Sequence, residues 1–105
     1  MKPNAQILKG LLEGCVLKLI EKDETYGYKI CEDLALGGFE NVGEGTVYPI
    51  VIRLEKKGFV SAKSKKSPLG PKRKYFNITK DGKEYLDAFS AEWKIVKELV
   101  DYFIV

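Results

Sequence analysis

Apolar residues recur at intervals of three and four along most of the chain, a spacing that predicts a mainly helical protein. Over residues 5–22, two adjacent stripes at intervals of four predict one long first helix with a wide apolar face. The stripes are Ile7, Leu11, Cys15 and Leu19, and Leu8, Leu12, Val16 and Ile20. Gly10 and Gly14 lie one turn apart beside them. Small residues at this spacing either let another helix cross closely or are simply tolerated, at a cost of about 1 kcal/mol each.

Two shorter helices are predicted next. Thr25 is a suitable N-cap for a second helix that ends near Leu36, since the following Gly37-Gly38 pair tolerates a left-handed cap. A third helix is expected to start near Gly43 and to stop before Gly58. The predicted core positions are Gly27, Ile30, Cys31 and Leu34 in the second helix and Val47, Ile50, Val51 and Leu54 in the third. The residues left outside on the third helix are Thr46, Pro49, Arg53 and Lys56 or Lys57, with Tyr48 on its flank.

A hairpin and a long helix are predicted for the rest of the chain. Period-two alternation over residues 59–64 and 73–79 predicts two short strands, with Pro and Gly residues forming the turn between them. Thr79 then caps a last helix that has Asp81 in its first turn, where the helix dipole favours an acid. A coiled-coil-like seam follows, made of Leu86, Phe89, Trp93, Val96, Val100 and Phe103 and widened by Leu99 and Ile104. The seam packs either on the first helix of the same chain or, as we favour for so small a core, on a partner chain.

Basic residues are concentrated in one part of the chain, although the net charge is only +3. Of the 18 basic and 15 acidic residues, residues 53–74 hold nine basic residues and one acid, Glu55. This segment therefore carries +8 and the remainder carries −5. The asymmetry favours a polyanion-binding face, with a solvated surface loop as the alternative.

The residue inventory excludes several classes of function. At 105 residues the chain is expected to form one domain. It has no histidine, and Cys15 and Cys31 lie too far apart for a zinc site, so inert buried thiols are expected, with a redox switch as the alternative. The sequence shows neither a nucleophile–base pair nor a phosphate-binding glycine motif, which argues against an enzyme and against a cofactor. No apolar run is long enough to span a membrane and no signal peptide is evident, so a cytoplasmic protein is expected.

The order of these elements predicts a fold class. Three helices followed by a basic two-stranded hairpin indicate a winged helix–turn–helix, mainly α with a small β-hairpin, in residues 1–79. Residues 80–105 are predicted to form a C-terminal dimerisation helix, and residues 5–22 to contribute to the same interface. In this architecture the third helix enters the DNA major groove, and the wing lies along the backbone or the minor groove.

The third helix has a bare start, which close approach to DNA explains. Its small first residues let the N-terminal turn come near the duplex, where free N–H groups favour phosphate. Thr46 and Tyr48 offer hydroxyl groups to bases or phosphates, and Arg53 neutralises the strand behind them. Lys65 and Lys66 of the wing are expected to bind all duplex sequences alike.

The segments EGTVYPIVIRLEKKGFV and GPKRKYFNITKDGKEYL, together with ETYGYKICEDL, resemble the PadR-like transcriptional regulators. The resemblance extends over residues 7 to about 103, and it is specific as a combination of motifs. It implies a dimeric bacterial repressor or sensor whose single C-terminal helix crosses the first helix of the partner. The DNA-contacting residues implied by the resemblance are Tyr26, Tyr28, Thr46, Tyr48, Arg53, Lys72, Arg73 and Lys74.

Three partners are predicted: a near-palindromic DNA operator, a second copy of the chain, and a planar aromatic effector. The predicted dimer interface consists of Leu8, Leu11, Leu12, Phe89, Trp93, Val96, Val100 and Phe103. Trp93 lies where a multidrug-binding member of the PadR-like regulators carries a tryptophan at the dimer centre. This resemblance implies an effector pocket at Trp93, and core packing is the alternative. The competing function is a winged-helix module that binds protein or RNA without operator specificity.

Overall fold

The computed structural model describes residues 5–105, which form a mainly helical chain with a small antiparallel sheet. This confirms the predicted fold class, a winged helix–turn–helix followed by one long helix. Residues 1–4 of the predicted DNA-binding segment lie outside the described residues. In chain order the elements are α1 (Ala5–Leu8), α2 (Leu11–Lys22), β1 (Thr25–Tyr26), α3 (Gly27–Leu36), α4 (Glu44–Lys56), β2 (Val60–Lys66), β3 (Lys72–Ile78) and α5 (Lys80–Ile104).

The first predicted helix is broken, so the expectation of one continuous helix over residues 5–22 is wrong. α1 ends at Leu8 and α2 begins at Leu11, because Gly10 between them has a φ of 88°. This value lies in the left-handed region, which a right-handed helix does not contain and which glycine adopts without a steric penalty. A side chain at Gly10 would meet open space. The glycine therefore serves the bend and not a close helix crossing.

Gly14, the second glycine of the pair, does permit a close crossing. A Cβ atom at this position would overlap the ring of Phe89, so the missing side chain lets α5 cross α2 within one chain. Beyond Phe89 the seam leaves the core. The exposed fractions of its later residues are 42% for Trp93, 40% for Val96, 46% for Val100 and 79% for Phe103. Packing on the first helix of the same chain thus accounts only for the start of the seam.

Thr25 does not cap the second helix, so that expectation is wrong as well. Thr25 and Tyr26 form β1, which pairs antiparallel with β3 in the register Thr25↔Phe76 and Tyr26↔Tyr75. α3 consequently begins at Gly27, and no side chain caps its start. A β-branched threonine packs well in a sheet, and Thr25 is buried there with 5% of its surface exposed. Sheet pairing has therefore replaced the local capping bond.

The sheet has the strand order β1-β3-β2. β2 and β3 form the predicted hairpin, with paired residues from Val60↔Ile78 at its inner end to Lys66↔Lys72 at its outer end. The inner end covers the core. The outer end, residues 63–74, is called the wing below, and its residues 63–72 are exposed except for Ser67.

The core lies between α2, α3, α4, the start of α5 and the inner end of the sheet. Its buried apolar residues are Leu12, Val16, Leu17, Ile20, Ile30, Leu34, Val47, Ile50, Val51, Leu54, Val60, Phe76 and Leu86. All four core positions predicted for the third helix are among them, and so are Ile30 and Leu34 of the second. Leu12 is only 5% exposed within its own chain, which leaves little of its surface for the predicted partner contact.

Helix ends agree with the predicted cap residues from Gly37 onwards. α3 is followed by Gly37 and by Gly38, whose φ is 117°. α4 lies within its predicted bounds, with Gly43 as its N-cap residue. Thr79 caps α5 as predicted, because its Oγ1 accepts a hydrogen bond from the Gly82 N–H at 3.0 Å. The same hydroxyl donates to the Gly58 carbonyl at 2.7 Å, which ties the start of α5 to the end of α4.

Candidate nucleic-acid interface

A small recess of about 190 Å³ opens where the sheet meets the starts of α3 and α4. We call it the tyrosine recess, and it is lined by Tyr26, Gly27, Tyr28, Glu44, Tyr48, Arg73, Lys74 and Phe76. Five of these, the three tyrosines and the two basic residues, are among the predicted DNA contacts. Hydroxyl and cationic donors are the groups that hydrogen-bond phosphate oxygens in DNA complexes. The recess is therefore suited to a backbone phosphate.

Aromatic rings hold the basic side chains near the recess in place. The guanidinium carbon of Arg73 lies 3.9 Å from the ring centroid of Tyr26, and that ring meets Tyr75 edge to face at 5.4 Å. Lys65 Nζ lies 4.7 Å from the centroid of Tyr75. Such cation–π contacts contribute about 0.5–1 kcal/mol at exposed sites and restrict the side chain without neutralising its charge. β1, which the sequence analysis missed, thus supplies one of the rings that position the wing cations.

Like charges face each other across the wing. The register places Lys65 opposite Arg73 and Lys66 opposite Lys72, and directly opposed like charges destabilise a hairpin. Lys65 also forms a hydrogen-bonded ion pair with Glu24. The hydrogen bond from Lys65 is the main cause that lowers the pKa of Glu24. Within residues 5–105, no acid forms an ion pair with Lys66 or Lys72. A bound polyanion would remove this repulsion.

Thr46 and Arg53 lie on a different side of α4 from Tyr48. Together with Pro49 they line a cleft of about 790 Å³ between the α1–α2 corner, the α3–α4 loop and α4, which we call the α4 cleft. Tyr48 instead lines the tyrosine recess. The three recognition residues grouped by the sequence analysis therefore flank the helix on two sides. A helix inserted into a groove presents both flanks to the DNA, so the arrangement is compatible with that role.

Glu13 belongs to this site and was missed by the sequence analysis. Glu13 is 9% exposed, and its carboxylate accepts hydrogen bonds from Arg53 Nε at 3.4 Å and from the Tyr85 hydroxyl at 2.6 Å. The carboxylate thereby connects α2, α4 and α5. The signal in the sequence is an acid that interrupts the apolar residues of the first helix. Its partners are 40 and 72 positions away, so no local pattern could identify them.

The network around Glu13 predicts a pH dependence at alkaline pH. The hydrogen bond to Glu13 is the main cause that raises the pKa of Tyr85 to about 12 from its ordinary value of 10.0. Because the folded-state pKa is the higher one, the stabilisation is complete below about pH 10 and is lost as the pH rises through about 12. We expect Tyr85→Phe to lower the free energy of unfolding by about 1 kcal/mol near neutral pH.

Urea unfolding of the wild type and of Tyr85→Phe over a range of pH measures this effect. The difference in free energy of unfolding should be constant up to about pH 9 and should shrink as the pH rises further. A difference that stays the same up to the highest pH would contradict the role of the Tyr85–Glu13 hydrogen bond.

The residues predicted for dimerisation and effector binding are distributed over several environments. Leu8 and Leu12 line the α4 cleft. Leu11 and Phe89 are half-buried. Trp93 lines neither the tyrosine recess nor the α4 cleft, and it lies on the exposed part of α5 with the remaining seam residues.

The two thiols are poorly suited to redox chemistry. Burial raises the pKa of Cys15 and also that of Cys31, so little thiolate is present at neutral pH. This favours inert thiols over a redox switch. Among residues 5–105, no group of three or more His, Cys, Asp or Glu side chains could hold a metal ion. None of the helices in the described part of the chain has both the length and the apolar character needed to cross a membrane.

Comparison with known proteins gives three informative similarities beside a family match. The profile of the transcriptional regulator PadR-like family matches residues 16–88. The crystal structure of a PadR-like transcriptional regulator from Bacillus cereus is 42% identical with a TM-score of 0.82, over 94% of this chain and 96% of that one. The crystal structure of a Streptococcus transcriptional regulator is 41% identical with a TM-score of 0.81, over 91% of this chain and 94% of that one. An uncharacterised protein from Lysinibacillus sphaericus is 36% identical over 102 residues, which are 95% of this chain and 94% of the relative.

Proposed function

The chain belongs to the PadR-like family of transcriptional regulators, and from this premise we propose that it binds a specific DNA operator as a homodimer, acting as a repressor that a small-molecule effector releases. The family match confirms the resemblance seen in the sequence. Because the family and its structural relatives are transcriptional regulators, the protein is a regulator and not an enzyme. The expectation of a cytoplasmic protein stays a prediction.

The observation that carries the proposal is the convergence of DNA-contact candidates in the tyrosine recess. Three tyrosines, Arg73 and Lys74 line a volume of about 190 Å³, and the wing beside it carries opposed lysines. Glu44 is the one acid in the lining, and Glu55 outside the lining pairs with Lys74 at 3.0 Å. Arg73 is therefore the lining cation that forms no ion pair within residues 5–105. A phosphate bound in the recess would orient α4 against the duplex, since phosphate contacts set register and orientation.

The start of α4 can approach a duplex closely. Side chains added at Gly43 or Gly45 would meet open space, and no side chain caps the helix. The first N–H groups of α4 therefore lack a side-chain acceptor, and a phosphate is a favourable acceptor at a helix N-terminus. These features support the role of α4 as the recognition helix.

We propose that Arg53 reads a base from the other flank of α4. Its Nε donates to Glu13, which leaves the two terminal amino groups for a bidentate contact of the kind that arginine makes with guanine. We infer that Glu13 orients this side chain before DNA binds. Preorganisation of this kind lowers the entropy cost of forming the contact.

The exposed surface of α4 favours DNA over a protein partner. Among its described residues, Tyr48 is the one large apolar side chain on the exposed surface, at 57%. The other exposed residues of α4 are Glu44, Gly45, Thr46, Pro49, Arg53 and Lys56. A protein-binding module would present apolar anchors here, whereas hydroxyl groups and cations suit the groove edges and phosphates of DNA.

The second half of α5 supports the proposed homodimer. Each of its apolar side chains keeps at least 40% of its surface exposed within the described chain, and they are Trp93, Ile95, Val96, Leu99, Val100, Tyr102, Phe103 and Ile104. Contiguous apolar surface of this kind marks an interaction site. We propose residues 80–105 as the dimerisation helix and residues 1–79 as the DNA-binding part, with residues 5–22 shared.

Binding to selected and random duplexes tests the proposed function. A dimer should bind a near-palindromic site whose half-sites lie about one helical turn apart. If each subunit meets three to five phosphates, affinity should fall with salt at a log–log slope of roughly −5 to −9. Titration of a duplex selected from a random library, beside a scrambled duplex, measures both properties. Equal affinity for the two duplexes would refute a specific regulator.

Single substitutions separate base reading from phosphate binding. Arg53→Ala should weaken the selected site by about 1–3 kcal/mol while affecting the scrambled duplex little. Lys66→Ala should weaken both duplexes alike and reduce the salt slope of the dimer by about two, about one for each subunit. Lys94→Ala removes the same charge from the polar side of α5 and should change neither. An Arg53→Ala protein with undiminished preference for the selected site would exclude Arg53 as a base contact.

Trp93 provides the test of the effector. It is the only tryptophan in the chain and is 42% exposed on the seam, so its fluorescence reports binding without a label. Two copies facing across a dimer axis could flank a planar molecule, with about 0.5–1.5 kcal/mol from each aromatic pair. We expect planar cationic dyes or phenolic compounds to quench this fluorescence and to release operator DNA. Absence of both effects, or unchanged release in Trp93→Leu, would leave Trp93 as interface packing.

A further inference from the structure

The tip of the wing carries an isolated apolar side chain. Leu69 is 89% exposed, the highest value among the described large apolar residues apart from the C-terminal Val105. It lies between Pro68 and Gly70, in the turn that joins β2 to β3. No other large apolar side chain in residues 61–74 is exposed with it, since the remaining residues of this segment are Lys, Arg, Ser, Ala, Pro and Gly. A leucine at this place does not contribute to the core.

The turn that presents Leu69 is held by its own hydrogen bonds. The backbone N–H and the side-chain hydroxyl of Ser67 both donate to the Pro71 carbonyl, at 3.4 and 2.9 Å. The Gly70 N–H donates to the Ser67 carbonyl at 3.3 Å, and Ser67 is only 6% exposed. Two prolines further restrict the backbone of the turn. The leucine is thus presented by an ordered turn, and little entropy is lost when it inserts into a partner.

The stem directly below Leu69 is cationic. Lys66 lies opposite Lys72, and neither forms an ion pair within residues 5–105. Lys65, which pairs with Glu24, lies opposite Arg73 one step further from the tip. The minor groove of DNA matches this arrangement, because it is about 6 Å wide and bordered on both sides by phosphates. Apolar wedges such as leucine are inserted between base steps by several minor-groove proteins, and they kink the duplex by about 20–90°.

We propose that Leu69 enters the minor groove beside the site of α4 and wedges between two base pairs, so that the wing bends the operator as well as holding its backbone. The proposal rests on the DNA-binding function proposed above. The opposed cations of the wing would bind phosphates on both sides of the groove. The leucine would then insert at a deformable base step and kink the duplex there. A sequence preference would follow at base pairs that no polar side chain contacts.

Other partners fit the tip less well. One leucine offers far less than the roughly 1,000 Å² that a stable protein interface buries. A membrane surface would favour a wider apolar face than a single side chain. The close flanking by opposed cations suits two facing rows of phosphates, and the minor groove provides them.

Bending of a duplex selected from a random library tests the proposal with the full chain. Circularly permuted fragments report the bend angle, and 2-aminopurine placed beneath the wing reports unstacking through its fluorescence. We expect the wild type to bend the duplex by about 20–90° and to raise the fluorescence. Leu69→Ala should abolish most of the bend and weaken binding about tenfold, whereas Leu69→Phe should retain the bend. Leu36→Ala removes a similarly exposed leucine, 85% exposed at the end of α3, and should behave as the wild type.

The outcomes separate this proposal from the function on which it rests. Specific binding to an unbent duplex, or an equal bend with Leu69→Ala, overturns the wedge and leaves the regulator proposal standing. Failure to prefer the selected duplex overturns both. Flotation with vesicles of mixed neutral and anionic phospholipid tests whether the tip binds a membrane surface instead. Vesicle binding that depends on Leu69, without any effect of Leu69→Ala on bending, would assign the tip to a membrane surface and overturn the wedge.

Discussion

We expect Val100→Glu to convert the protein from a dimer into a monomer at micromolar concentration. Val100 lies midway along the uncovered half of α5 and is 46% exposed in a single chain. In the proposed dimer, each glutamate would place an unpaired carboxylate in an apolar interface. An uncompensated buried charge costs about 3–5 kcal/mol, and the dimer carries two of them. Sedimentation of both proteins over a range of concentrations measures the change.

A matched variant separates the effect of position from that of charge. Ala91→Glu adds the same single charge to the same helix, on the side away from the seam, and both residues favour helix. We expect this variant to remain a dimer, and Val96→Glu to behave as Val100→Glu does. A wild-type protein that sediments as a monomer at micromolar concentration would refute the proposed interface.

Loss of the dimer should also weaken operator binding. Two linked half-site contacts bind more tightly than either contact alone, because the second is made at a high effective concentration. Val100→Glu should therefore lose most of its affinity for the palindromic site while keeping the weak affinity of one subunit for a half-site. If the variant were monomeric and still bound the palindrome with wild-type affinity, one subunit would be the functional unit.

The second large effect is expected from Gly82→Ala, which should lower the free energy of unfolding by about 3 kcal/mol. A Cβ atom at Gly82 would overlap the backbone carbonyl oxygen of Phe59 and would lie 2.8 Å from Ile78 Cγ1. The Phe59 carbonyl cannot easily move away, because it accepts the Thr79 N–H at 3.0 Å. The substitution therefore strains the junction between the sheet and the start of α5. Thermal or urea unfolding of the variant measures the loss.

Gly45→Ala is the matched control for this substitution. It also replaces a glycine near the start of a helix, but its Cβ atom would meet open space. An alanine there should stabilise the protein by about 0.5 kcal/mol, since glycine is the weaker helix former. Equal stability changes for the two variants would contradict the close packing at Gly82. Reduced DNA affinity of the more stable Gly45→Ala protein would further support close approach of α4 to the duplex.

The elements that depend on local pattern were predicted well. α4 agrees with its predicted bounds and buries Val47, Ile50, Val51 and Leu54 as its periodicity indicated. The cap of α5 by Thr79 and the basic hairpin also agree with the prediction. Periodicity and capping involve residues only a few positions apart, so the sequence contains them in readable form.

Predictions failed where a distant segment competed with a local preference. The capping preference of Thr25 gave way to pairing with Phe76, which lies beyond two helices and a strand. From the sequence, Gly82 is a weak helix former, and alanine is expected to stabilise the helix at this position. In the fold, Gly82 packs closely against the backbone of Phe59, so a side chain there would overlap it. At Gly10 the sequence allows the bend without requiring it, because glycine permits both a helical and a left-handed backbone.

The candidate site divides in the same way. Charge pattern, hydroxyl positions and motif resemblance were enough to select the three tyrosines and two cations that line the tyrosine recess, although their contact with DNA stays a prediction. The contacts of Arg53 with Glu13 and of Arg73 with Tyr26 join residues 40 or more positions apart. Such pairings depend on how α2, α4, α5 and the sheet pack together. Local composition carries no record of that packing, so only the folded chain shows that a buried carboxylate lies behind Arg53 and that an aromatic ring lies against Arg73.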